Sequence, residues 1–358
     1  MLRPLRYSII FSLPLAVFLA FYLKGLWTFF PLVYSFGIIP FLELFIPPST
    51  GNKSDEEYKS LLSNKSYDLV LYMAAFVHIG FLFYFLWIIQ SPMQTWELIG
   101  CIISMGILCG TMGINLAHEL GHRKTKGEQR LGQALLLTSL YMHFYIEHNR
   151  GHHRYVSTPQ DPATSRLGEP LYAFWFRSMY KGYLSAWHLE KERLAKKKSS
   201  PFNLSNEFLQ FQVVQIGLLV AVFVYGGWLS LAAFFSAAVI GILLLETVNY
   251  IEHYGLIRHK KKEHYERVQP WHSWNSDHVI GRTLLFELSR HSDHHYMASR
   301  KYQILRHFDD SPQMPTGYPG MMLLSAIPPL WFGVMNPRVE KYNAFGKKKF
   351  EEKINAKA

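Results

Sequence analysis

The chain has 358 residues, of which 49% are hydrophobic and only 18% are charged, and its formal net charge is +11. Soluble domains usually carry about 25% charged residues, so this composition argues against an ordinary soluble protein. The two cysteines, Cys101 and Cys109, lie in one apolar segment. Two such cysteines exclude a disulfide framework, a thiolate metal site and an iron–sulfur centre held by this chain alone.

Six apolar runs are long enough to cross a bilayer, because each is near the roughly 20 residues that a spanning helix needs. In chain order they cover residues 7–23, 26–47, 69–90, 97–117, 209–226 and 228–250. The pair Gly226-Gly227 predicts a tight turn between the last two runs. A shorter apolar run, 131–146, starts in charged sequence and predicts a buried or interfacial helix. The pattern predicts an all-α bundle of six transmembrane helices.

The charge distribution predicts the orientation of the bundle. Arg3 and Arg6 before an apolar run also fit a secretory signal peptide, but no small-residue cleavage site follows, which favours a retained first helix. With the N-terminus inside, the segment 91–95 is outside and carries no charge, whereas 118–208 and 251–358 are inside and hold most of the basic residues. This distribution obeys the positive-inside rule. The basic face would meet anionic lipid or an acidic protein partner.

Histidines cluster in four places from the end of the fourth predicted span onward. His118 and His122 flank Glu119 in the pattern H-E-x-x-H, which on a helix is the signature of zinc metalloproteases. The stretches "EHNRGHHRYVSTPQDPATSR", "NYIEHYGL" and "RHSDHHY" add His148, His152, His153, His253, His291, His294 and His295. A tetrahedral zinc ion uses at most four ligands. Nine clustered histidines therefore indicate more than one metal ion.

Spacing and ligand chemistry narrow the choice of metal. His118 and His122 at i, i+4 share one helix face, as do His148 and His152, whereas His153 points elsewhere and suits a second metal. Imidazole binds iron, copper, nickel and zinc, but the lack of cysteine ligands disfavours structural zinc. The Glu-x-x-His pairs of soluble di-iron bundles are absent. The best assignment is a histidine-bound pair of irons just beneath the bilayer, where ionisable clusters are functional by default.

Carboxylates beside these motifs are predicted to fix the outer ring nitrogens of ligand histidines by hydrogen bonds. The candidates are Glu119, Glu147, Asp161, Glu252 and Asp293. Alternatively, some of these carboxylates form ion pairs with the nearby arginines Arg123, Arg150, Arg154 and Arg290. His272 and His278, in the aromatic and polar stretch "QPWHSWNSDH", are further candidates for such orienting bonds.

These motifs identify a resemblance. "HELGHRK", "EHNRGHHRYVSTPQDPATSR", "NYIEHYGL" and "RHSDHH" followed by "RKYQILR" resemble the integral-membrane alkane 1-monooxygenases, within the membrane desaturase and hydroxylase superfamily. The resemblance covers roughly residues 7–340 and includes "WNSDH", "MPTGYPG" and "MNPRV". The xylene monooxygenases are the next most similar group. Ser289, where glutamine is common in the family, and residues 296–299 depart from its pattern, but neither departure removes a histidine.

The resemblance implies a non-haem di-iron enzyme with six membrane helices and a cytoplasmic helical cap, placed in the bacterial inner membrane. Its nine histidines would hold two irons. The enzyme would insert one atom of O2 into the terminal methyl group of an alkane, with electrons from NAD(P)H through rubredoxin reductase and rubredoxin. No nucleic-acid partner is expected. The alternatives are an aryl-methyl monooxygenase, a fatty-acyl hydroxylase or desaturase and, from other classes, a membrane zinc protease or a metal transporter.

Two further predictions concern the substrate and the domain boundary. Ser35 and Ile38, in the second span, are predicted to line a channel for an extended hydrocarbon; the alternative for Ser35 is close helix packing, as small residues allow in membranes. Residues 1–340 are predicted to form a single domain. Residues 341–358 are predicted to be a charged, flexible tail.

Overall fold

The computed structural model describes residues 4–356, and in this part of the chain almost all regular structure is helical. Two short antiparallel strands, Lys260–Lys261 (β1) and His264–Tyr265 (β2), form a hairpin. The helices are Pro4–Leu23 (α1), Gly25–Glu43 (α2), Asp55–Ser63 (α3), Ser66–Ile88 (α4), Thr95–Gly121 (α5), Lys126–Leu137 (α6), Phe144–Glu147 (α7), Leu171–Lys196 (α8), Glu207–His253 (α9), Val279–Leu284 (α10), His291–Tyr296 (α11), Tyr318–Ser325 (α12) and Pro328–Asn355 (α13). The predicted all-α class is confirmed.

Five helices of the described chain are long and apolar enough to cross a membrane, namely α1, α2, α4, α5 and α9. The last of these has 47 residues and leaves helical geometry at Gly226 and at Gly227, whose φ is 62°. Such a positive φ strains any residue other than glycine. The chain reverses there, since Gln215 and Glu246, on opposite sides of the break, both contact residues 141–142. The predicted turn is confirmed, and the two legs of α9 correspond to the predicted spans 209–226 and 228–250.

The start of α1 lies on the same side of the bundle as the histidines. Arg3 of the predicted N-terminal charge pair lies outside the described residues, but Arg6 and Tyr7 both donate hydrogen bonds to Glu287, four residues before His291. At the opposite side, Gln90 after α4 donates to the Ser230 hydroxyl, close to the turn of α9. The connections after α5 and after α9 therefore lie on the histidine side, where they form a helical cap.

Glycines let α5 and the second leg of α9 approach closely. A Cβ atom added to Gly106 would lie 2.6 Å from the Ile240 side chain, and one added to Gly241 would lie 2.7 Å from Cys109. Real Cβ atoms do not come this close, so only glycine fits at these contacts. Small residues are the usual means by which membrane helices pack tightly. The contact packs together two helices, α5 and α9, whose ends carry His118 and His253.

Three π-helical stretches interrupt the helices near the histidines, at Tyr34–Ile38 in α2, Cys109–Ile114 in α5 and His148–His152 after α7. A π-turn closes i→i+5 hydrogen bonds, so it contains one more residue than an α-turn and rotates the side chains that follow; such turns are frequent at functional sites. The last π-turn runs directly into a single α-turn, His153–Tyr155. These stretches decide which side chains face the histidine cluster.

Two predicted segments differ from the structure. The run 131–146 is not one helix, because α6 ends at Leu137 and Leu140 adopts a positive φ of 54° before α7 begins. The stretch 341–355 belongs to the predicted flexible tail 341–358; it continues α13 and packs on the cap, while residues 357–358 lie outside the described residues. Its Gly346 lies so close to Trp271 that an added Cβ would be 3.1 Å from the indole ring. Charged residues dominate the sequence of this stretch and lie on the outer face of the helix. The few residues that pack are therefore hard to recognise from the sequence.

Candidate metal centre

Four segments bring the nine predicted histidines together beneath α5 and α9. The segments are the end of α5, the π-turn after α7 with the residue that follows it, the end of α9, and α11. In that order they supply His118 and His122, then His148, His152 and His153, then His253, and finally His291, His294 and His295. Each predicted residue is therefore in the cluster, although the four segments are far apart in sequence.

The ring nitrogens of these histidines form two adjacent groups, and within each group the nitrogens all lie within 4.8 Å of one another. The first group contains His118, His122, His148, His153 and His294, and the second contains His152, His253, His291 and His295. The groups touch, since the ring centroids of His153 and His295 are 4.6 Å apart. The cluster is thus suited to two metal ions side by side.

The assignment of the middle histidines differs from the prediction in one respect. His148 and His152 at i, i+4 were predicted to share a helix face, but the structure places His148 with His153 and puts His152 in the other group. The reason is the π-turn His148–His152, in which residues at i and i+5 fall on one face. The expected division of the adjacent pair His152 and His153 between two groups is observed.

The nitrogen spacing fits a metal centre. The Nε2 atoms of His122, His148 and His153 are 3.0–3.1 Å apart in all three pairings. Each neutral nitrogen either donates or accepts, so at least two of three mutual neighbours have the same role and repel. A metal ion that takes all three lone pairs removes this conflict. With metal–nitrogen bonds of about 2.1 Å, donors at right angles are about 3.0 Å apart and tetrahedral donors about 3.4 Å. The spacing and the five donors fit a metal with more than four ligands.

Burial keeps the imidazoles outside the spans neutral, which is the form that binds metal. Burial lowers the pKa of His122 from 6.5 to about 4. Burial and repulsion from neighbouring imidazolium charges lower the pKa of other members well below 6.5, namely His148, His153, His291, His294 and His295. At neutral pH their lone pairs are available for coordination.

Two of the predicted carboxylates contact ligand-candidate rings. Asp161 Oδ2 lies 2.9 Å from Nδ1 of His152 and also accepts a hydrogen bond from the Thr164 hydroxyl. Glu252 Oε1 lies 3.2 Å from Nδ1 of His291 and accepts a hydrogen bond of 2.7 Å from the Tyr318 hydroxyl. Nδ1 of His291 makes no hydrogen bond, so Glu252 only lies beside that ring. Asp161 holds Nδ1 of His152 and leaves Nε2 of that ring facing the interior of the cluster. This arrangement fixes the ring orientation and the tautomer.

The other carboxylates do not hold a histidine ring. Glu119 Oε1 forms an ion pair of 2.8 Å with Arg123, as the alternative interpretation proposed. Asp293 binds Arg300 and accepts a hydrogen bond from the Arg306 backbone N–H. Glu147 is buried, and its Oε1 atom has no hydrogen-bond partner. These three side chains stabilise or line the cap without orienting a member of the cluster.

His272 and His278 also have partners other than the cluster. Nε2 of His272 lies 3.4 Å from Glu266, and its Nδ1 accepts a hydrogen bond from the Gln269 backbone N–H. Nδ1 of His278 lies 3.0 Å from the Ser276 hydroxyl. Both side chains belong to the packing of the cap, where they join loops to one another.

An apolar cavity lies between the helices and extends to the histidines. His118, His148 and His291 form its polar end, while aliphatic and aromatic side chains of α1, α2, α5 and α9 form most of its wall. Ser35 lines this cavity and is 7% exposed, whereas Ile38 is 38% exposed and faces outward. Ile38, predicted with Ser35 to line a substrate channel, does not line this cavity; Ile39, directly after the π-turn Tyr34–Ile38, lines it instead.

Comparison with known proteins agrees with this geometry. The chain is 42% identical over 323 residues to "Alkane 1-monooxygenase 1" of Pseudomonas aeruginosa, covering 89% of this chain and 84% of that protein. It is 41% identical over 320 residues to "Alkane 1-monooxygenase 2" of Alcanivorax borkumensis, covering 88% and 84%. The chain belongs to the alkane 1-monooxygenase family. Residues 94–324 also match the family model described as fatty acid desaturase.

The chain is also similar, at lower identity, to a xylene/toluene monooxygenase. The chain is 30% identical over 275 residues to the xylene/toluene monooxygenase hydroxylase component of Pseudomonas putida, covering 75% of this chain and 72% of that protein. This match agrees with the order of resemblance given by the sequence motifs. As a member of the alkane 1-monooxygenase family, the protein is a multi-pass membrane monooxygenase with a metal centre.

Sequence reasoning missed one charged residue near the centre of this alkane 1-monooxygenase family member. Glu246 lies in the second leg of α9, is 2% exposed, and accepts a hydrogen bond of 2.7 Å from the Tyr141 hydroxyl. A carboxylate within a membrane helix is costly and usually functional. The sequence signal for Glu246 is a single glutamate in the apolar run "GILLLETVNY". The histidine motif directly after this run is the more obvious feature.

Proposed function

We propose that this protein hydroxylates the terminal methyl group of alkanes to give 1-alkanols, with O2 as co-substrate, at two irons held by the nine histidines. The observation that carries the proposal is the apolar cavity that ends at His118, His148 and His291. An alkane has no group that ionises, so acid–base and nucleophilic side chains have nothing to act on. A metal centre together with O2 supplies the oxidation that side chains alone cannot perform.

In this proposal the protein binds, orients and excludes water. The two histidine groups hold one iron each. Asp161 would keep His152 turned toward the metal, because its carboxylate holds Nδ1 of that ring, and Glu252 lies 3.2 Å from Nδ1 of His291. The aliphatic wall of the cavity keeps water away and presents the end of a hydrocarbon chain to the histidine end. Ser35, on α2, leaves space along the path of the chain.

Iron is favoured over zinc by the donor set. Five imidazoles in one group exceed the four ligands of a tetrahedral zinc site. The protease alternative also requires Glu119 as a general base beside His118 and His122. Its carboxylate is instead engaged by Arg123 at 2.8 Å and by the Tyr302 backbone N–H at 3.3 Å. A free acid substrate is disfavoured too, since no Lys or Arg lies among the described residues that line the cavity.

The proposal extends to topology and partners. We propose six crossings of a bacterial inner membrane, with α9 counted as two and with the N-terminus, the histidines and the basic cap on the cytoplasmic side; the positive-inside rule supports this orientation. Electrons would come from NAD(P)H through rubredoxin reductase and rubredoxin. His122 and His153 are half-buried, and the exposed basic residues Lys124, Lys126 and Arg154 lie next to them in sequence. This surface suits an acidic donor protein, whose approach would be steered by charge.

Metal analysis and product analysis of the purified protein test the proposal together. We expect about two irons per chain and no stoichiometric zinc. With rubredoxin, its reductase and NADH, octane and hexadecane should be converted to 1-octanol and 1-hexadecanol, identified by gas chromatography. Zinc as the sole bound metal, or oxidation of p-xylene in preference to both alkanes, would contradict the proposal and favour the protease or the aryl-methyl monooxygenase.

A further inference from the structure

We propose that a polar chamber beside the histidines, with Glu246 as its relay residue, carries protons and water between the cytoplasm and the reaction site. This inference rests on the proposed function, because terminal hydroxylation consumes protons and releases water. The apolar cavity is less suited to this purpose, since most of the surface that its wall exposes is apolar. The structure contains a second route of different chemistry on the opposite side of the histidines.

Three cavities share walls in a series. The apolar cavity and a small chamber, which has room for about one water molecule, have Phe144, His148 and Asn249 in common. That chamber and a surface pocket have Pro162 in common. The surface pocket includes Lys181 and His188, both exposed, so it is open to water. A polar chamber thus lies between the cavity beside the histidines and a pocket at the surface, and Pro162 separates the chamber from that pocket.

The chamber is lined by groups that can hold water and pass protons. Around Glu246 they come from four elements: the loop before α7, α7 with the π-turn that follows it, α8, and α9. They are Tyr141, His143, Glu147, Ser178 and Asn249, and the ligand candidate His152 completes the wall. A buried water needs two to four polar partners, which this wall supplies. An apolar wall would be expected here if the chamber were only a packing defect.

Glu246 occupies the inner end of this chain of polar groups. Its Oε1 accepts a hydrogen bond of 2.7 Å from the Tyr141 hydroxyl, and Oε2 lies 3.4 Å from the amide nitrogen of Asn249. Asn249 lines the apolar cavity as well as the chamber, so it connects the carboxylate with the space that holds the substrate. Glu246 is seven residues before His253 and has no hydrogen bond to any of the nine histidines. It can therefore exchange protons without giving up a metal ligand.

The overall reaction requires such a route. An alkane, O2, two electrons from the donor protein and two protons give one alcohol and one water. One oxygen atom enters the broken C–H bond, and the other is reduced and leaves as water with the two protons. The donor protein supplies the electrons, so the protons have to come from the solvent. When protons arrive too slowly, O2 that has taken up the two electrons leaves the site as peroxide, takes its two protons from the bulk solvent as hydrogen peroxide, and the turnover is uncoupled.

The first experiment measures coupling in purified iron-loaded protein with its donor chain. Glu246→Gln keeps the shape of the side chain and the acceptor for Tyr141, but it cannot release a proton. We expect the alcohol formed per O2 consumed to fall about tenfold, with hydrogen peroxide in its place and a larger solvent deuterium isotope effect, while the iron content stays the same. Glu246→Asp should restore part of the coupling. A purely structural role predicts wild-type coupling in Glu246→Gln, and that result would overturn the proposal.

The second experiment needs neither metal nor activity. In Ser178→Cys the introduced thiol lies in the chamber, and in the matched variant Thr111→Cys it lies in the apolar cavity alone. The native cysteines are both buried. A small cationic methanethiosulfonate should label the chamber variant at least tenfold faster than the apolar-cavity variant, whereas a lipid-soluble maleimide should not discriminate in this way. Equal rates with the cationic reagent refute the route. If wild-type protein forms no alcohol, the proposed function fails, and labelling alone decides whether water enters the chamber.

Discussion

Replacing Asp161 should weaken metal binding through His152 more than any other carboxylate change beside the histidine motifs. Asp161 is 2% exposed and makes three contacts: 2.9 Å to Nδ1 of His152, 2.5 Å from the Thr164 hydroxyl and 3.0 Å from the Ala163 N–H. Asp161→Ala removes the acceptor for His152, and Asp161→Asn keeps a weaker, neutral one. Carboxylate partners of metal-bound histidines typically contribute about 10–100-fold in metal affinity. We expect about tenfold for the Asn variant and about 100-fold for the Ala variant.

The 100-fold loss corresponds to about 2.8 kcal/mol, which matches the roughly 1.5–3 kcal/mol of a hydrogen bond to a charged group. Competition between the protein and a chelator of known iron affinity measures it. Asp293→Asn is the matched control, because Asp293 is also buried beside two histidines of the cluster but binds Arg300 instead of a ring. Its variant should lose thermal stability and keep its iron affinity within about threefold. Equal losses of affinity in both variants would refute the role assigned to Asp161.

Four further outcomes follow from the structure. Ser35→Trp should fill part of the cavity, so that gas chromatography shows medium alkanes still oxidised and long ones not; equal loss on both would assign Ser35 to packing. His294→Ala should abolish alcohol formation, whereas exposed His188→Ala should not; an active His294→Ala would exclude the di-iron assignment. Since the folded pKa of His122, about 4, lies below its unfolded value of 6.5, only the unfolded metal-free chain binds this proton as the pH falls. The melting temperature of metal-free protein should therefore drop between pH 7.5 and 5.5, and a rise would contradict this. Turnover with rubredoxin should fall as salt screens the basic cap, and turnover that is indifferent to salt would argue against charge steering.

Much of this molecule was predictable from local sequence. The spans could be read because a helix that crosses a bilayer needs a long apolar run whatever its neighbours are. The turn at Gly226-Gly227 was predictable because a left-handed φ such as that of Gly227 selects glycine. The nine histidines were predictable as a set, since chance does not gather so many imidazoles into four short motifs. Asp161 and Glu252 were predictable as candidates from their positions beside those motifs.

The tertiary structure decided how these parts meet. The fold determines which residue each carboxylate contacts. Glu252 lies beside His291, which is distant in sequence, whereas Glu119 forms an ion pair with Arg123 one turn further along its own helix. The π-turns, which local periodicity does not reveal, divide the histidines into groups of five and four. They also explain why Ile39 and not Ile38 lines the cavity. The packed helix at 341–355 and the polar chamber at Glu246 depend on which surfaces come together. The sequence determined the residues and their chemistry, because these are local properties. Only the fold determined their partners, because contact between distant segments is a property of the whole chain.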